Sequence, residues 1–226
     1  MAFRKGTLKV KKRIMSVCVR LFIQKGYHAS TVSQIVKEAQ ISVSSLQNIF
    51  HTKEDILNEL IEFMLARQFD AAVDLCGEGA SGLQVYAAAA AIQLALAERD
   101  ENLRDLYLEA YSGLGTSDCI CQGVAQRLLD TFGKYQPGYT LGNFYNMELG
   151  ISGIMRGYMS RKCSMHFTFE EKLEYFLAIS LRAYQVPEEE LAEVLQYIKK
   201  LDMLSAVDQI WGKILAALEE EYDFKL

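Results

Sequence analysis

Apolar residues recur at intervals of three and four along much of this chain, which is the spacing of one buried face on an α-helix. The first such stripe lies between Lys9 and Lys25, and Gly26 is expected to end the helix. The stripe consists of Val10, Ile14, Val17, Cys18, Leu21 and Phe22. The lysines and arginines of the segment lie mostly off this face, so we expect their charges at the surface.

Two short helices are predicted directly after Gly26. Thr31 and Gln34 have the spacing of a capping box, and they precede the apolar positions Val32, Ile35, Val36 and Ala39. Ser42 offers the next N-cap, before an inner face of Leu46, Ile49 and Phe50. Two short helices joined by a turn of about three or four residues form a helix-turn-helix.

The outward positions of the second short helix are small or hydrogen-bonding, and none is acidic. They are Val43, Ser44, Ser45, Gln47 and Asn48. A helix that enters the major groove of DNA needs small residues near the bases and amides or hydroxyls that meet base edges and phosphates. An ordinary polar face on a structural helix is the alternative, although such a face would more often include Glu or Lys.

A long helix is expected to follow, because Thr52 and Asp55 can cap the apolar series Ile56, Leu57, Leu60, Ile61 and Met64. Lys53 lies in the turn before it, where we expect its ammonium group to hold a DNA phosphate. The complete set of predicted DNA-binding residues is Thr31, Ser42, Val43, Ser44, Ser45, Gln47, Asn48, His51 and Lys53.

Charge is distributed very unevenly along the 226 residues, whose overall net charge is −5. Residues 1–53, called the head below, carry ten lysines and arginines against the single acid Glu38, a net charge of +9. The remainder, called the body, has a net charge of −14. A basic head on an acidic body indicates a module that binds a polyanion. A solvated basic face without a partner is the alternative.

At this point the sequence resembles the tetracycline-repressor (TetR) family of bacterial regulators, over roughly residues 10–60. The resemblance is carried by Arg13, Ile14, Leu21, Phe22, Gly26, Tyr27, Ser30, Thr31, Val32, Ile35, Ala39, Ile41, Ser42, Leu46, Phe50, Lys53 and Glu54. It implies an all-α protein with an N-terminal three-helix DNA-binding domain, expected at 8–68. A long helix would join this domain to a helical ligand-binding and dimerisation domain, expected at 69–226.

Three positions depart from the family pattern. Gln40 stands where the family usually has a glycine, so a non-glycine residue would adopt a positive φ at a cost of roughly 1 kcal/mol. Gln47 replaces a tyrosine that in the family contacts the DNA backbone, and Ile49 replaces another frequent aromatic residue. These departures leave open a protein whose head has lost its affinity for DNA.

The body is predicted to contain helices over 83–97, 102–112, 118–135, 143–159 and 169–183, one that opens at Pro187, and one over 203–222. Glu148 lies on the apolar stripe of its helix, so the carboxylate must be paired or must face a pocket. The residues expected to bind a small-molecule effector are Tyr107, Tyr111, Met147, Glu148 and Ile151. The alternatives are a salt bridge from Glu148 to an arginine, and tyrosines that simply fill the core.

The last predicted helix has an apolar stripe too broad for one packing partner, which favours burial on two sides, one of them against a second subunit. The resemblance likewise implies a homodimer in which two C-terminal helices from each chain form a four-helix bundle. The residues expected at this interface are Phe176, Trp211, Ile214 and Leu218.

No motif of a known catalytic or cofactor site is found, and we expect neither enzymatic activity nor a cofactor nor a bound metal. Cys119 and Cys121 are separated by one residue, which is not a usual zinc spacing, although a thiol or metal switch stays an alternative. The odd number of cysteines, five, and the lack of a signal peptide or membrane span favour a cytoplasmic protein with reduced thiols.

The function that fits these patterns best is a DNA-binding transcriptional regulator, a repressor that a small-molecule ligand releases from its operator. Its expected partners are double-stranded operator DNA, a second copy of the chain and an effector, with no membrane. A helical ligand-binding or scaffolding protein with a degenerate DNA-binding head is the main alternative, and an enzyme of unrecognised type is the other.

Overall fold

The computed structural model describes the backbone of residues 2–226 and the side chains from Gly6 onward, so Arg4 and Lys5 of the head lie outside the described side chains. Within these residues the chain is all-α, as predicted, with no strand. The helices are α1 (Ala2–Lys25), α2 (Val32–Glu38), α3 (Val43–Gln47), α4 (Lys53–Cys76), α5 (Gly82–Arg99), α6 (Glu101–Ser112), α7 (Leu114–Phe132), α8 (Leu141–Met159), α9 (Phe169–Ala183), α10 (Glu188–Ile198) and α11 (Met203–Tyr222).

Helices α1, α2 and α3 pack together around a small apolar core and against the first turns of α4. The residues at its centre are Ile14, Phe22, Ile35, Leu46 and Phe50, all buried. Thr31 and Ser42 are the N-caps of α2 and α3, as predicted. The capping box expected at Thr31 is incomplete, because the Gln34 side chain donates to the Glu38 carboxylate at 2.9 Å instead of returning to the cap.

The long helix α4 begins in the head and ends in the body. Thr52 and Asp55 form the complete capping box that the sequence predicts, and the two acids of the first turn face the positive end of the helix dipole. Further along, α4 packs against α5 and α7. The domain boundary expected between residues 68 and 69 falls inside this helix, and the buried apolar core continues across it.

Helix α7 departs from the predicted bounds at both ends. The sequence suggests a break over 113–117, yet Gly113 alone interrupts the chain and the helix starts at Leu114. The Ser117 amide already donates to the Gly113 carbonyl at 2.9 Å, so the first helical turn closes directly after the glycine. The helix ends at Phe132, and a short 3-10 helix over Gly133–Tyr135 takes up the remaining predicted residues.

The last helix, α11, packs against α5, α1 and α4 of its own chain. Trp211, Ile214 and Leu218 are consequently buried within one protomer, and Phe176 of α9 is buried in the body core. Within one protomer these four side chains already have packing partners, and their assignment to a surface between subunits stays a prediction that this burial does not favour. The broad apolar stripe of α11 has a simpler cause, since several helices of the same chain cover it.

Candidate nucleic-acid interface and internal cavity

The turn between α2 and α3 closes tightly over four residues. The Gln40 amide donates to the Lys37 carbonyl at 3.2 Å, and the Ile41 amide donates to the Val36 carbonyl at 3.1 Å. Gln40 itself has φ of 51°, the left-handed conformation that the glycine-to-glutamine departure predicts. The side chain of Gln40 is exposed, so the turn keeps its geometry with a strained but uncrowded residue.

Helix α3 turns its polar side chains to solvent. Ser44, Gln47 and Asn48 are exposed, Val43 keeps 50% of its surface exposed, and Ser45 is partly buried. The Ser42 hydroxyl lies 3.0 Å from that of Ser44 and 2.8 Å from that of Ser45, and it also accepts the Ser45 amide. The exposed surface of α3 therefore carries hydroxyls and amides without any charge.

The only acid of the head is neutralised inside the head. Arg20 donates to the Glu38 carboxylate at 2.7 Å. The hydrogen bond from Gln34, together with Arg20, holds the pKa of Glu38 below its ordinary value. Among the described residues, Lys9, Arg13 and Lys37 are exposed and form no ion pair. These three side chains of α1 and α2 thus carry positive charge that no ion pair neutralises.

Lys53 differs from the other predicted DNA-binding residues, because its ammonium group is engaged within the chain. It donates to the Tyr27 carbonyl and lies 3.7 Å from the centroid of the Tyr27 ring. Partial burial lowers the pKa of this lysine. Lys53 therefore joins the start of α4 to the loop that follows α1. Thr31 and His51 are exposed near either end of the helix-turn-helix.

The body contains a cavity of about 310 Å³ that is partly open to solvent, with walls from α4, α5, α6, α7, α8 and α9. Most of the lining is apolar, and Phe69, Tyr86, Tyr111 and Phe176 contribute aromatic side chains. A volume near 300 Å³ lies at the lower end of the range for small-molecule sites. The cavity is therefore large enough for a ligand of one or two rings.

Three of the five predicted ligand-binding residues, Tyr111, Glu148 and Ile151, line this cavity. Tyr107 is buried behind it and receives a hydrogen bond from Gln68, and Met147 is on α8 but not in the cavity wall. These two residues therefore do not line this cavity, and their assignment to a ligand site stays a prediction. Both residues share the apolar stripe of their helix, but periodicity does not distinguish packing against a neighbouring helix from facing an empty space.

Sequence reasoning missed two buried glutamines of the wall, Gln68 on α4 and Gln93 on α5. Gln93 donates to the Tyr111 hydroxyl at 2.8 Å, which fixes the tyrosine ring at the cavity surface. A signal existed for Gln93, because this amide lies among the buried alanines and leucines of α5.

Glu148 is buried, and its side chain has one hydrogen-bond partner, the Tyr184 hydroxyl, which donates to Oε2 at 2.7 Å. No ion pair with Glu148 exists among the residues from Gly6 onward, so the expected alternative of a salt bridge to an arginine is wrong. Burial raises the pKa of this carboxyl to about 7, and the hydrogen bond from Tyr184 opposes that rise. The acid therefore changes its charge near neutral pH.

Helix α6 connects the cavity to the head. It carries Tyr111 in the cavity wall, and near its N-terminus Asn102 donates to the Ile23 carbonyl of α1 at 2.9 Å. Directly after α6, the Gly115 amide donates to Glu54 in the first turn of α4 at 3.2 Å. Hydrogen bonds near the two ends of α6 thus lead to α1 and to the first turn of α4.

An apolar surface formed by α8 and α9 faces solvent. Tyr175 and Ile179 of α9 keep 56% and 42% of their surface exposed, and Leu141 and Leu149 of α8 are similarly exposed. Gly150, Gly153 and Gly157 lie along the same stretch of α8, and an added Cβ would meet no neighbour at any of them. This α8/α9 face is the exposed apolar surface that the body presents on two adjoining helices.

The two neighbouring cysteines of α7 have separate surroundings. The Cys119 thiol lies 2.8 Å from the Glu62 carboxylate of α4, and the buried Cys121 thiol lies 3.8 Å from the Ser152 hydroxyl of α8. Burial raises the pKa of both thiols, to about 12 for Cys119 and about 11 for Cys121. They do not form a shared site.

In the described part of the chain, no helix is both long and apolar enough to cross a lipid bilayer.

Comparison with known proteins places the head in a family. The family model "Bacterial regulatory proteins, tetR family" matches residues 14–60, which run from the middle of α1 into α4. The chain is 37% identical over 54 residues to the HTH-type transcriptional regulator QacR of Staphylococcus aureus, covering 24% of this chain and 29% of that protein. It is 29% identical over 76 residues to YuxN of Bacillus subtilis, an uncharacterised HTH-type transcriptional regulator, covering 34% of this chain and 26% of that protein.

These sequence matches therefore span only about a quarter to a third of each relative. Among solved structures, a gamma-butyrolactone receptor described as an ArpA-like protein is similar over 90% of this chain and 98% of its own, with 19% sequence identity and a TM-score of 0.48.

Proposed function

We propose that this chain, whose residues 14–60 match the model of the tetR family of bacterial regulatory proteins, belongs to that family and is a sequence-specific DNA-binding transcriptional regulator. In this proposal it is a cytoplasmic repressor rather than an enzyme, and a small-molecule ligand releases it from its operator. The observation that carries the proposal is the uncharged, hydrogen-bonding surface of α3, held on a head whose single acid is paired internally.

DNA recognition is assigned to α3, which would lie in the major groove. Gln47 and Asn48 have amides that can donate and accept at base edges, while the small Ser44 allows the helix backbone to approach closely. The exposed Lys9, Arg13 and Lys37 supply positive charge for phosphates, and that attraction is independent of sequence. Lys53 contributes mainly by fixing α4 to the Tyr27 loop, beside any phosphate contact.

A second copy of the chain is required, because the short α3 reads too few base pairs to select one site alone. We assign the dimer interface to the α8/α9 face. Its exposed Leu149, Tyr175 and Ile179 supply apolar area, and the glycines of α8 allow a second helix to approach closely. A two-fold arrangement of this face would pool two helices from each protomer.

The switch requires a ligand that prefers a body conformation in which the two α3 helices no longer match successive major grooves. The cavity supports this step, since Tyr111 on its wall belongs to the same helix as the Asn102 contact with α1. The contact between Gly115 and Glu54 ties the end of that helix to α4. We assign the coupling to α6 acting together with α4.

The second candidate is a helical ligand-binding protein whose head no longer binds DNA. The strained Gln40 turn and the glutamine at position 47 favour it. The two candidates share the cavity and differ only in the head, so DNA binding discriminates between them.

Selection from a pool of random duplex DNA tests the proposal. The wild-type protein should enrich a near-palindromic site whose half-site centres lie roughly 34 Å, one helical turn, apart. Asn48→Ala should relax discrimination at particular base pairs, whereas Lys37→Ala should weaken all sequences about equally. Recovery of unenriched sequence by a folded wild-type protein would favour the second candidate.

A further inference from the structure

We propose that the cavity takes a hydrophobic ligand with a single positive charge, whose cationic centre lies against the Glu148 carboxylate and the aromatic rings of the wall. The inference rests on the proposed function, because it names the chemical class of the effector. It concerns a site of this chain whose residues lie outside the segment shared with the sequence relatives.

In the part of the chain whose side chains are described, the Glu148 carboxylate has no positively charged partner. Glu148 is buried, its one hydrogen bond comes from Tyr184, and no cation pairs with it among the residues from Gly6 onward. A carboxylate taken out of water is costly unless an opposite charge lies nearby. An entering cation would supply that charge, and the desolvation already present in the free protein would strengthen the attraction.

Aromatic side chains form part of the cavity wall. Tyr86, Tyr111 and Phe176 line the same cavity, and the ring faces of such residues attract cations. Proteins recognise quaternary ammonium ligands with cages of aromatic rings. A carboxylate close to such rings adds the attraction of an opposite charge. The volume of about 310 Å³ accommodates a phenyl ring with a trimethylammonium group.

The other charged groups of the wall do not serve an anionic ligand. The Arg127 guanidinium is exposed and lies 4.5 Å from the centroid of the Phe69 ring, at the side of the cavity between α4 and α7. Asp130, also exposed on α7, adds a second negative charge. An anion that reached the buried part of the cavity would meet the Glu148 carboxylate without a balancing cation.

Burial brings the pKa of Glu148 to about 7, within the physiological range. The titratable groups that face it are Tyr184, Tyr86 of α5, Tyr111 of α6 and Cys121 of α7. Burial raises the pKa of all four, which keeps them uncharged at neutral pH, with Cys121 at about 11. Any pH dependence of cation binding between pH 6 and pH 8 therefore reports Glu148.

The experiment measures binding of phenyltrimethylammonium to the full chain by calorimetry, with tert-butylbenzene as its neutral carbon isostere. The cation carries a permanent charge, so the ligand does not titrate. We expect the cation to bind at least about tenfold more tightly than the isostere at pH 8. We expect its affinity to fall about tenfold from pH 8 to pH 6, as Glu148, with a pKa of about 7, becomes protonated.

Glu148→Gln removes the charge while the amide oxygen can still accept the Tyr184 hydroxyl. This variant should lose both the preference for the cation and the pH dependence. Glu189→Gln, which removes an exposed acid at the start of α10, is the matched control and should behave as wild type. Thermal unfolding of each variant establishes that it is folded.

Tyr184→Phe tests whether Glu148 acts through its charge, because a purely structural role of Glu148 in packing would not change the pH dependence of cation binding. Its hydroxyl lowers the pKa of Glu148, so its removal should shift the midpoint of the pH dependence upward while the preference for the cation persists at high pH. Equal binding of cation and isostere by wild type, no binding of the cation, or unchanged cation binding by a folded Glu148→Gln would each overturn the inference.

Failure of the proposed function gives a different result. Calorimetry detects the ligand whether or not the head binds DNA, so a chain that binds the cation but no DNA supports the inference and refutes the regulator. A chain that binds a selected operator but never the cation supports the regulator and refutes the ligand class.

Discussion

Gln40 is the residue at which the departure from the family pattern has a visible structural consequence. Its φ of 51° lies in the left-handed region, where a Cβ crowds the following carbonyl, while its side chain is exposed and makes no compensating contact. The helix-turn-helix forms despite this strain, because the caps Thr31 and Ser42 and the buried Ile35, Leu46 and Phe50 determine it.

Gln40→Gly should therefore stabilise the protein. Relief of the strain outweighs the greater backbone entropy of glycine in the unfolded chain, and we expect the free energy of unfolding to rise by about 0.5–1 kcal/mol. Gln40→Ala, which keeps the Cβ, is the control and should give no gain. Urea unfolding measures both variants. A loss of stability in Gln40→Gly would show that the glutamine is not strained.

Glu148 is the second residue whose state matters beyond its own position. Its pKa is about 7 in the folded protein against an ordinary value of 4.5, so the folded state binds the proton more tightly than the unfolded state. The sign follows from this difference. Raising the pH from 4.5 towards 7 releases the proton from the unfolded chain first, and the stability of the fold decreases across that interval.

Glu148→Gln should remove this penalty. At pH 8 the variant should exceed wild type in free energy of unfolding by about 3 kcal/mol, and the difference should shrink below about 1 kcal/mol by pH 5. Chemical unfolding across that range measures the effect, and Glu189→Gln should run parallel to wild type. A difference between Glu148→Gln and wild type that does not vary with pH would place the cost elsewhere than in the charge.

At the scale of the elements, capping residues in the sequence predict where several helices begin. The Thr52 and Asp55 pair marks the start of α4, and Pro187 marks the start of α10. The start of α7 is not readable, because Gly113 interrupts the chain for one residue where a longer break was expected. The partner of α11 is not readable either, since a broad apolar stripe reports burial but not which chain provides it.

The residues of the cavity were likewise only partly predictable from the sequence. Glu148 is identifiable from sequence as a charge on an apolar stripe, and it does line the cavity. Tyr107 and Met147 have an equivalent periodicity, yet they pack away from it. The existence of the cavity depends on how the side chains of six helices pack together in three dimensions. No local pattern along the chain predicts that packing.

The contacts of α6 lead to a prediction about coupling. Asn102→Ala removes the hydrogen bond to the Ile23 carbonyl but leaves the cavity intact. We expect ligand affinity to stay within about twofold of wild type while the ratio of operator affinities without and with ligand falls about fivefold, the worth of one hydrogen bond.

Operator titrations with and without the cavity ligand measure this ratio. Gln196→Ala, at an exposed position of α10, is the control and should keep the wild-type ratio. An unchanged ratio in Asn102→Ala would show that the signal does not pass through this contact.

At the scale of the whole molecule, the head carries net positive charge and the body carries net negative charge, so the two parts interact differently with a polyanion. The head attracts phosphate, the body repels it, and the α8/α9 face is left as the apolar surface through which two bodies can associate. The buried stripe of α11 instead joins the C-terminal end of the chain to α1, α4 and α5 of the same protomer.

Ile179→Glu should therefore yield a folded monomer, because the substitution places a charge in the apolar contact that we propose between protomers. Leu204→Glu, at a position of α11 that is 47% exposed, is the matched control and should remain dimeric. Light scattering after size-exclusion chromatography distinguishes the two masses. A dimeric Ile179→Glu, or a monomeric Leu204→Glu, would move the interface away from the α8/α9 face.

The most direct test of the account is the affinity of the full chain for DNA that flanks its own coding region, compared with a scrambled duplex of equal length. Fluorescence anisotropy at about 50 and 200 mM salt measures both. We predict a preference of about a thousandfold or more for the flanking DNA, and affinities that fall steeply as salt increases. Equal affinity for the two duplexes, or no binding even at the lower salt concentration, would contradict it.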